Sequence, residues 1–210
     1  MTLIGVFAIM GGISATAMWV PQFVALLRTG DTKGLSVPFW IVYIGTSVGW
    51  IAHGVRLGQA FIVVANVVAV IAVATSLVYL WRDHKICSWL WLAPGFLFGA
   101  LLIGLDGAVG SAAFGIAVVT PVAFGMVLQG VQLMRDPEVS GVSIGAWVAQ
   151  LANQVIWAVW STLCLEPGTM ISAYVSGVVA TFVLGWRLAR QWGVGPVLRR
   201  GATADCSSTR

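Results

Sequence analysis

One stretch of this chain is written again 107 positions later. Pro21-Gln22, Arg28, Gly34-Leu35-Ser36, Trp40 and Trp50 are answered by Leu128-Gln129, Arg135, Gly141-Val142-Ser143, Trp147 and Trp157. Both copies fall in a sequence that is 59% hydrophobic and 9% charged. A soluble domain has no way to hide so much apolar surface, so the solvent around this chain is largely lipid. A duplicated segment in lipid points to two copies of one helical unit with a pathway between them.

Seven apolar segments follow one another, at residues 3–29, 36–57, 59–82, 86–105, 110–134, 143–165 and 167–191. Each reaches the roughly 20 residues that a helix needs to cross a hydrocarbon core about 30 Å thick. The runs are long and lack barrel-type alternation, so the sequence predicts helices. The first is too long, and too poorly flanked by positive charge, for a cleaved signal peptide. With the N-terminus outside, the inner loops and tail hold Arg28, Lys33, Arg82, Lys85, Arg135, Arg187, Arg190, Arg199, Arg200 and Arg210, against Arg56 alone outside. That asymmetry predicts an integral protein, expected in the cell membrane, with a cytoplasmic C-terminus. The net charge of +4 then reflects topology and lipid contact. No basic stripe is interleaved with aromatics, so nucleic acid is not an expected partner.

The expected architecture is all-α: two parallel three-helix bundles joined by a linker helix, a 3+1+3 plan. Residues 1–85 form the first bundle, 86–106 the linker and 107–192 the second bundle, with 193–210 as a disordered cytoplasmic tail. A single crossing in the middle makes both bundles start from the same side. Pro94-Gly95 is expected to kink or loosen the linker. The loops at 30–35, 83–85 and 136–141 are short and rich in turn residues, leaving no room for a catalytic domain outside the membrane.

No Asp, Glu, Lys or Arg lies deep within a segment, which counts against ion coupling. Asp106 and Glu166 fall at outer helix ends. His53 and His84 have no metal-ligand spacing, and Cys87, Cys164 and Cys206 are too scattered for a metal site. Neither enzymatic activity nor a cofactor is expected.

Two polar groups share a depth. Trp50 stands 14 residues above Ser36, about 21 Å along a helix, and Asn66 stands seven residues below Gln59, about 10 Å. A ring covering the C–H face of a sugar, beside an amide that both donates and accepts, suits a polyol. Alternatively, Trp50 is an interfacial belt ring and Asn66 an interhelical hydrogen bond, and spacing does not choose. Trp157 matches Trp50 in depth. Asn153 lies one turn before it on the same face, with Gln154 the next candidate; both also suit helix–helix contact. The last segment offers Tyr174, Ser176 and Gly177 where a second Asn is expected.

Prolines mark bending points. Pro21 frees the carbonyl of Ala17 near the inner end of the first segment, a hinge for an inner gate, with Gln22 at the same level. Pro38 falls in the first turn of the second helix, where proline is tolerated. The second copy has Leu128 and Gly145 at these places, and Pro121 moves any bend higher in the membrane. His53 and Arg56 follow Trp50 at steps of three, along one face at the outer end. They are placed to close an outer gate by pairing with Asp106 or Glu166, unless Arg56 snorkels to headgroups.

Pro21-Gln22, the short charged loop, Gly34-Leu35-Ser36 and the Trp50 to Gly54 stretch resemble the PQ-loop and SWEET/SemiSWEET superfamily. Trp50 with Asn66 resembles the sugar-binding pair of SemiSWEETs. The resemblance covers residues 10–82 well and 115–191 more weakly. It implies the fused 3+1+3 form and facilitated diffusion of mono- or disaccharides by a uniporter. It also implies Trp50, Asn66 and Trp157 as substrate contacts, Pro21 and Pro38 as helix-bending positions, and His53 where the family often has a gating Tyr. The second half departs from the pattern by lacking the prolines and the last-helix Asn. Two other functions stay open: a PQ-loop-type amino-acid transporter or exchanger, and a non-transporting membrane receptor on the same fold. The sugar, the direction of transport and homo-oligomerisation are left open by the sequence.

Overall fold

The computed structural model describes residues 2–32, 35–86, 88–135 and 143–195, apart from the side chains of Pro21, Gln22 and Trp89. Lys33, Gly34, Cys87, the loop residues from Asp136 to Val142, and the tail from Pro196 onward with Arg199, Arg200, Cys206 and Arg210 therefore lie outside the described residues. Among the described residues are seven α-helices and no strand. They are α1 (Leu3–Thr29), α2 (Val37–Arg56), α3 (Ala60–Arg82), α4 (Ala93–Ala108), α5 (Ser111–Arg135), α6 (Ile144–Cys164) and α7 (Pro167–Gln191), with one 3-10 turn, Trp89–Leu92, leading into α4.

Local chemistry sets the helix ends. The Ser36 hydroxyl accepts from the Phe39 amide and the Ser143 hydroxyl from the Ala146 amide, so these serines, 107 positions apart, each cap the helix that follows. Gly30, at φ 62°, closes α1 by returning its N–H to the Leu26 carbonyl. The first inter-helix turn is then pinned to the third. Arg82 Nη2 donates to the Gly30 carbonyl at 2.7 Å, Lys85 Nζ to the Thr32 carbonyl at 2.8 Å, and the Thr32 hydroxyl to Asp83 at 2.6 Å. The Thr32 hydroxyl and then Arg82 hold the Asp83 carboxyl below its usual range.

Five helices are long and apolar enough to cross a membrane: α1, α3, α4 with its leading turn, α5 and α7. The expectation of seven spans is met only to that extent. The other two helices are diluted by the polar residues they carry, Thr46, Ser47 and His53 on α2 and Gln150, Asn153 and Gln154 on α6. Outward faces are apolar, as with Ile13, Leu97 and Val178 at 65%, 70% and 69% exposure, which suits a lipid environment.

The helices close a ring. α3 packs against α1 and α2, α7 packs against α5 and α6, α4 joins α2 to α5, and α1 meets α6. Trp40 anchors a core of Ile41, Ile44, Val73, Leu77 and Leu80, while Trp147 anchors one of Met126, Leu133, Ala180 and Val183. The junctions depend on glycine. Gly45 and Gly49 on α2 face Gly95, Gly99 and Leu102 on α4, and a methyl at Gly45 would overlap the Gly95 carbonyl oxygen. Backbones this close are what small residues spaced by four permit in a membrane. The expected kink at Pro94-Gly95 is corrected: Pro94 sits in the first turn of α4, where a missing N–H breaks no bond, and Gly95 serves the crossing with α2.

Candidate functional site

A cavity of about 770 Å³ lies inside the ring. α2 lines it with Phe39, Tyr43, Thr46 and Trp50, and α6 with Ser143, Ala146, Trp147, Gln150, Asn153, Gln154 and Trp157. The α6 residues recur at steps of three and four, the mark of one helical face turned inward. α1 adds Trp19, α3 adds Asn66, α5 adds Pro121 and Gln129, and α7 adds Thr169 and Ala173. The lining carries no charged side chain. A second void, about 750 Å³, shares Trp19, Phe39, Gly125 and Gln129 and reaches Leu35 and Ser36 at the α2 N-terminus. The hollow therefore extends toward that end of the molecule.

The structure brings Trp50, Asn66, Asn153 and Trp157 to one cavity. The Trp50 ring is held edge-on by Phe114, with ring centres 4.9 Å apart, and by His53 at 5.6 Å. Asn66 Nδ2 donates to the Ile62 carbonyl one turn back on its own helix, at 2.9 Å. This bond is local, whereas the alternative reading of Asn66 required an interhelical one. Asn153 is 8% exposed and accepts from the Ser14 hydroxyl on α1 at 2.7 Å, so it lines the cavity and ties two helices together. Trp157 lies against Gly11, where even a methyl would meet its ring at 2.9 Å.

Other expected residues are elsewhere. Ser176 is buried on α7 and is not part of the lining. Pro38 occupies the first turn of α2 and is exposed. α1 runs on as helix through positions 21 and 22, whose side chains lie outside the described residues. Gln150 and Tyr43 were missed by the sequence reading, and Gln129 was seen only as a repeat partner. The signal existed: Gln150 precedes Asn153 by three, Gln154 by four and Trp157 by seven.

At the end of the cavity beyond Trp50, charges gather. His53 is fully buried, with Nδ1 2.9 Å from Asp106 Oδ2. Arg56 Nε donates to the same oxygen at 2.7 Å, and Arg56 Nη2 pairs with Oδ1. His53 Nε2 comes within 3.4 Å of Glu166 Oε1, an ion-pair distance without hydrogen-bond alignment. Glu166 accepts from the Ser111 hydroxyl and from the amides of Gly168 and Thr169, capping α7. Burial pushes its carboxyl up, but the His53 ring, Ser111 and Thr169 outweigh that and hold it down at about 2. Phe114 stacks on the imidazole, ring centres 4.3 Å apart and planes 12° apart. The cluster joins α2, α4, α5 and the α6–α7 connection. Asp106 and Glu166 stand at helix ends, near the end of α4 and at the N-cap of α7. They are 4% and 6% exposed, and the expected pairing of His53 and Arg56 with Asp106 is present, with Glu166 facing the same histidine. Among the described residues no group of His, Cys, Asp and Glu is arranged for a metal ion.

Over 76 residues the chain is 32% identical to the sugar transporter SemiSWEET of Escherichia coli (strain UMEA 3162-1), a match covering 36% of this chain and 82% of that protein. This chain belongs to the SWEET/SemiSWEET family. No family model and no solved structure matches it. A SWEET/SemiSWEET chain with membrane-crossing helices is a membrane protein. The aligned part is about one-third of this SWEET/SemiSWEET member, and the rest of its ring lies outside the match.

Proposed function

We propose that this protein carries a sugar across the membrane by facilitated diffusion, through alternating exposure of the central cavity. The observation that carries the reading is the cavity lining, where the indoles of Trp50 and Trp157 stand with the carboxamides of Asn66 and Asn153 and no charge is present. Such a lining stacks on C–H faces and exchanges hydrogen bonds with hydroxyls, while giving an ionic solute no counter-charge. The E. coli relative, a sugar transporter by name, supports the same substrate class. In this reading α1–α3 and α5–α7 are two three-helix units joined by α4, seven spans in all, with the N-terminus outside. The conformation is open toward the α2 N-terminus, and His53, Arg56, Asp106 and Glu166 latch the opposite end. Pro21 and Pro38 serve as bending positions.

Uptake of radiolabelled glucose, maltose and sucrose into proteoliposomes tests the reading. Trp50→Ala and Asn66→Ala are each expected to reduce uptake at least tenfold while the purified protein keeps its helical circular dichroism. Wild-type rates in both variants would reject the site.

Proton-coupled transport is the second reading, because Asp106 and Glu166 are buried against His53. Buried titratable groups bridging helices are the usual material of proton relays. Uptake that stops when an imposed pH gradient is dissipated would select it over simple diffusion.

A further inference from the structure

The two long walls of the cavity differ in kind, position for position. Residues 107 apart stand on α2 and α6, and the walls pair Phe39 with Ala146, Tyr43 with Gln150, Thr46 with Asn153 and Trp50 with Trp157. Only the last pair is alike. Below it, the α2 wall is aromatic, with Trp19 of α1 set edge-on to Tyr43 at 4.7 Å. The α6 wall at the same levels carries the carboxamides Gln150, Asn153 and Gln154 beside the Trp147 ring, and Gln129 adds a further carboxamide from α5.

We infer that the cavity holds a second sugar ring beneath the Trp50–Trp157 level, between Trp19 and Tyr43 on one side and Gln129 and Gln150 on the other, so that its preferred occupant is a chain of at least two linked sugar rings. This rests on the sugar reading above and narrows it. Three observations support it. Tyr43 lies seven residues from Trp50 and Gln150 seven from Trp157, about 10 Å along each axis, so the lining continues well past one ring. The volume, about 770 Å³, stands in the upper part of the range for small-molecule sites, roughly 300–1,000 Å³. The chemistry is split as a pyranose is split: aromatic faces meet C–H bonds, and carboxamides meet hydroxyls as donor and acceptor at once.

Isothermal titration of the purified protein with glucose, maltose and maltotriose tests this. The wild type is expected to bind maltose at least tenfold more tightly than glucose. In Gln150→Ala, and separately in Tyr43→Leu, the ratio of maltose to glucose affinity should fall about tenfold, the scale of one or two lost contacts. Because the readout is a ratio within one preparation, a partly unfolded fraction does not mimic it. A wild type with equal affinity for glucose and maltose overturns the second subsite, as does a Gln150→Ala protein that weakens both sugars equally. A wild type that binds none of the three removes the sugar reading itself, and this inference with it. The two failures are thus distinct.

Discussion

Glu166 does three jobs with one carboxylate. It caps α7 through the amides of Gly168 and Thr169, accepts from Ser111 at the start of α5, and faces the buried His53. Its carboxyl, ordinarily near 4.5, is held down at about 2 in the folded protein. The folded chain therefore ionises this group more readily than the unfolded chain does. The stabilisation is complete above the ordinary value and disappears as pH falls through the interval toward about 2. Thermal unfolding in detergent between pH 7 and pH 2 is expected to show that loss in the wild type. In Glu166→Gln the melting temperature should already be lower at pH 7, and the further drop on acidification smaller. Equal acid slopes in the two proteins would contradict the assignment. A second residue-level prediction concerns Ser14, whose hydroxyl reaches Asn153 across α1 and α6. Ser14→Ala should cost only about 0.6 kcal/mol of stability, the average for interhelical hydrogen bonds in a membrane protein. Asn153→Ala should cost as much in stability and, in addition, reduce uptake, since Asn153 also lines the cavity. Comparing melting temperatures with transport rates for the two variants separates the two roles.

Among the elements, α4 shows how a helix is placed by what its residues lack. Gly95 and Gly99 let it approach the α2 backbone at Gly45, while Gly104, further along the same helix, has nothing near the place a methyl would take. Gly95→Val should therefore lower stability by about 1–3 kcal/mol, the usual cost of overpacking. Gly104→Ala should be neutral or slightly stabilising through helix propensity. Melting temperatures of the two variants check the contrast, and equal effects would mean that α4 does not cross α2 at Gly95. This also marks how far the sequence was legible. Helix positions were, because apolar runs bounded by turn residues leave few choices. The role of Pro94-Gly95 was not, because a proline near the start of an apolar run reads as a kink until the 3-10 turn at Trp89–Leu92 shows where the helix begins. Trp50 and Asn66 were legible as residues at one depth. Gln150 was not, because a single glutamine in a span reads equally well as a contact between helices. Only the ring of neighbours turns it inward.

For the whole molecule, the proposed alternating access asks what would hold the Arg56 end of the cavity closed. The charged cluster lies where α2, α4, α5 and the α6–α7 connection converge, so any movement that opens this end has to separate Asp106 from His53 and Arg56, or His53 from Glu166. Two buried carboxylates face the buried ring of His53, and the half-exposed guanidinium of Arg56 reaches one of them. Removing the Asp106 charge takes from Arg56 its carboxylate and from the buried His53 Nδ1 its acceptor, which favours an arrangement that exposes them to water. Asp106→Asn is the sharpest cut, since Asp106 alone serves both His53 and Arg56. The expected outcome is a population shift toward a state open at the Arg56 end. With the native cysteines replaced, Ala146→Cys, an exposed position of the cavity lining, reports it through labelling by a membrane-impermeant maleimide added to that side of sealed vesicles. Labelling from the Arg56 side should rise several-fold in the Asp106→Asn background and fall from the opposite side, because one cavity cannot face both. A rise from both sides would indicate loosening of the ring as a whole, and no change would show that the cluster is structural and that the closed end is held by something else.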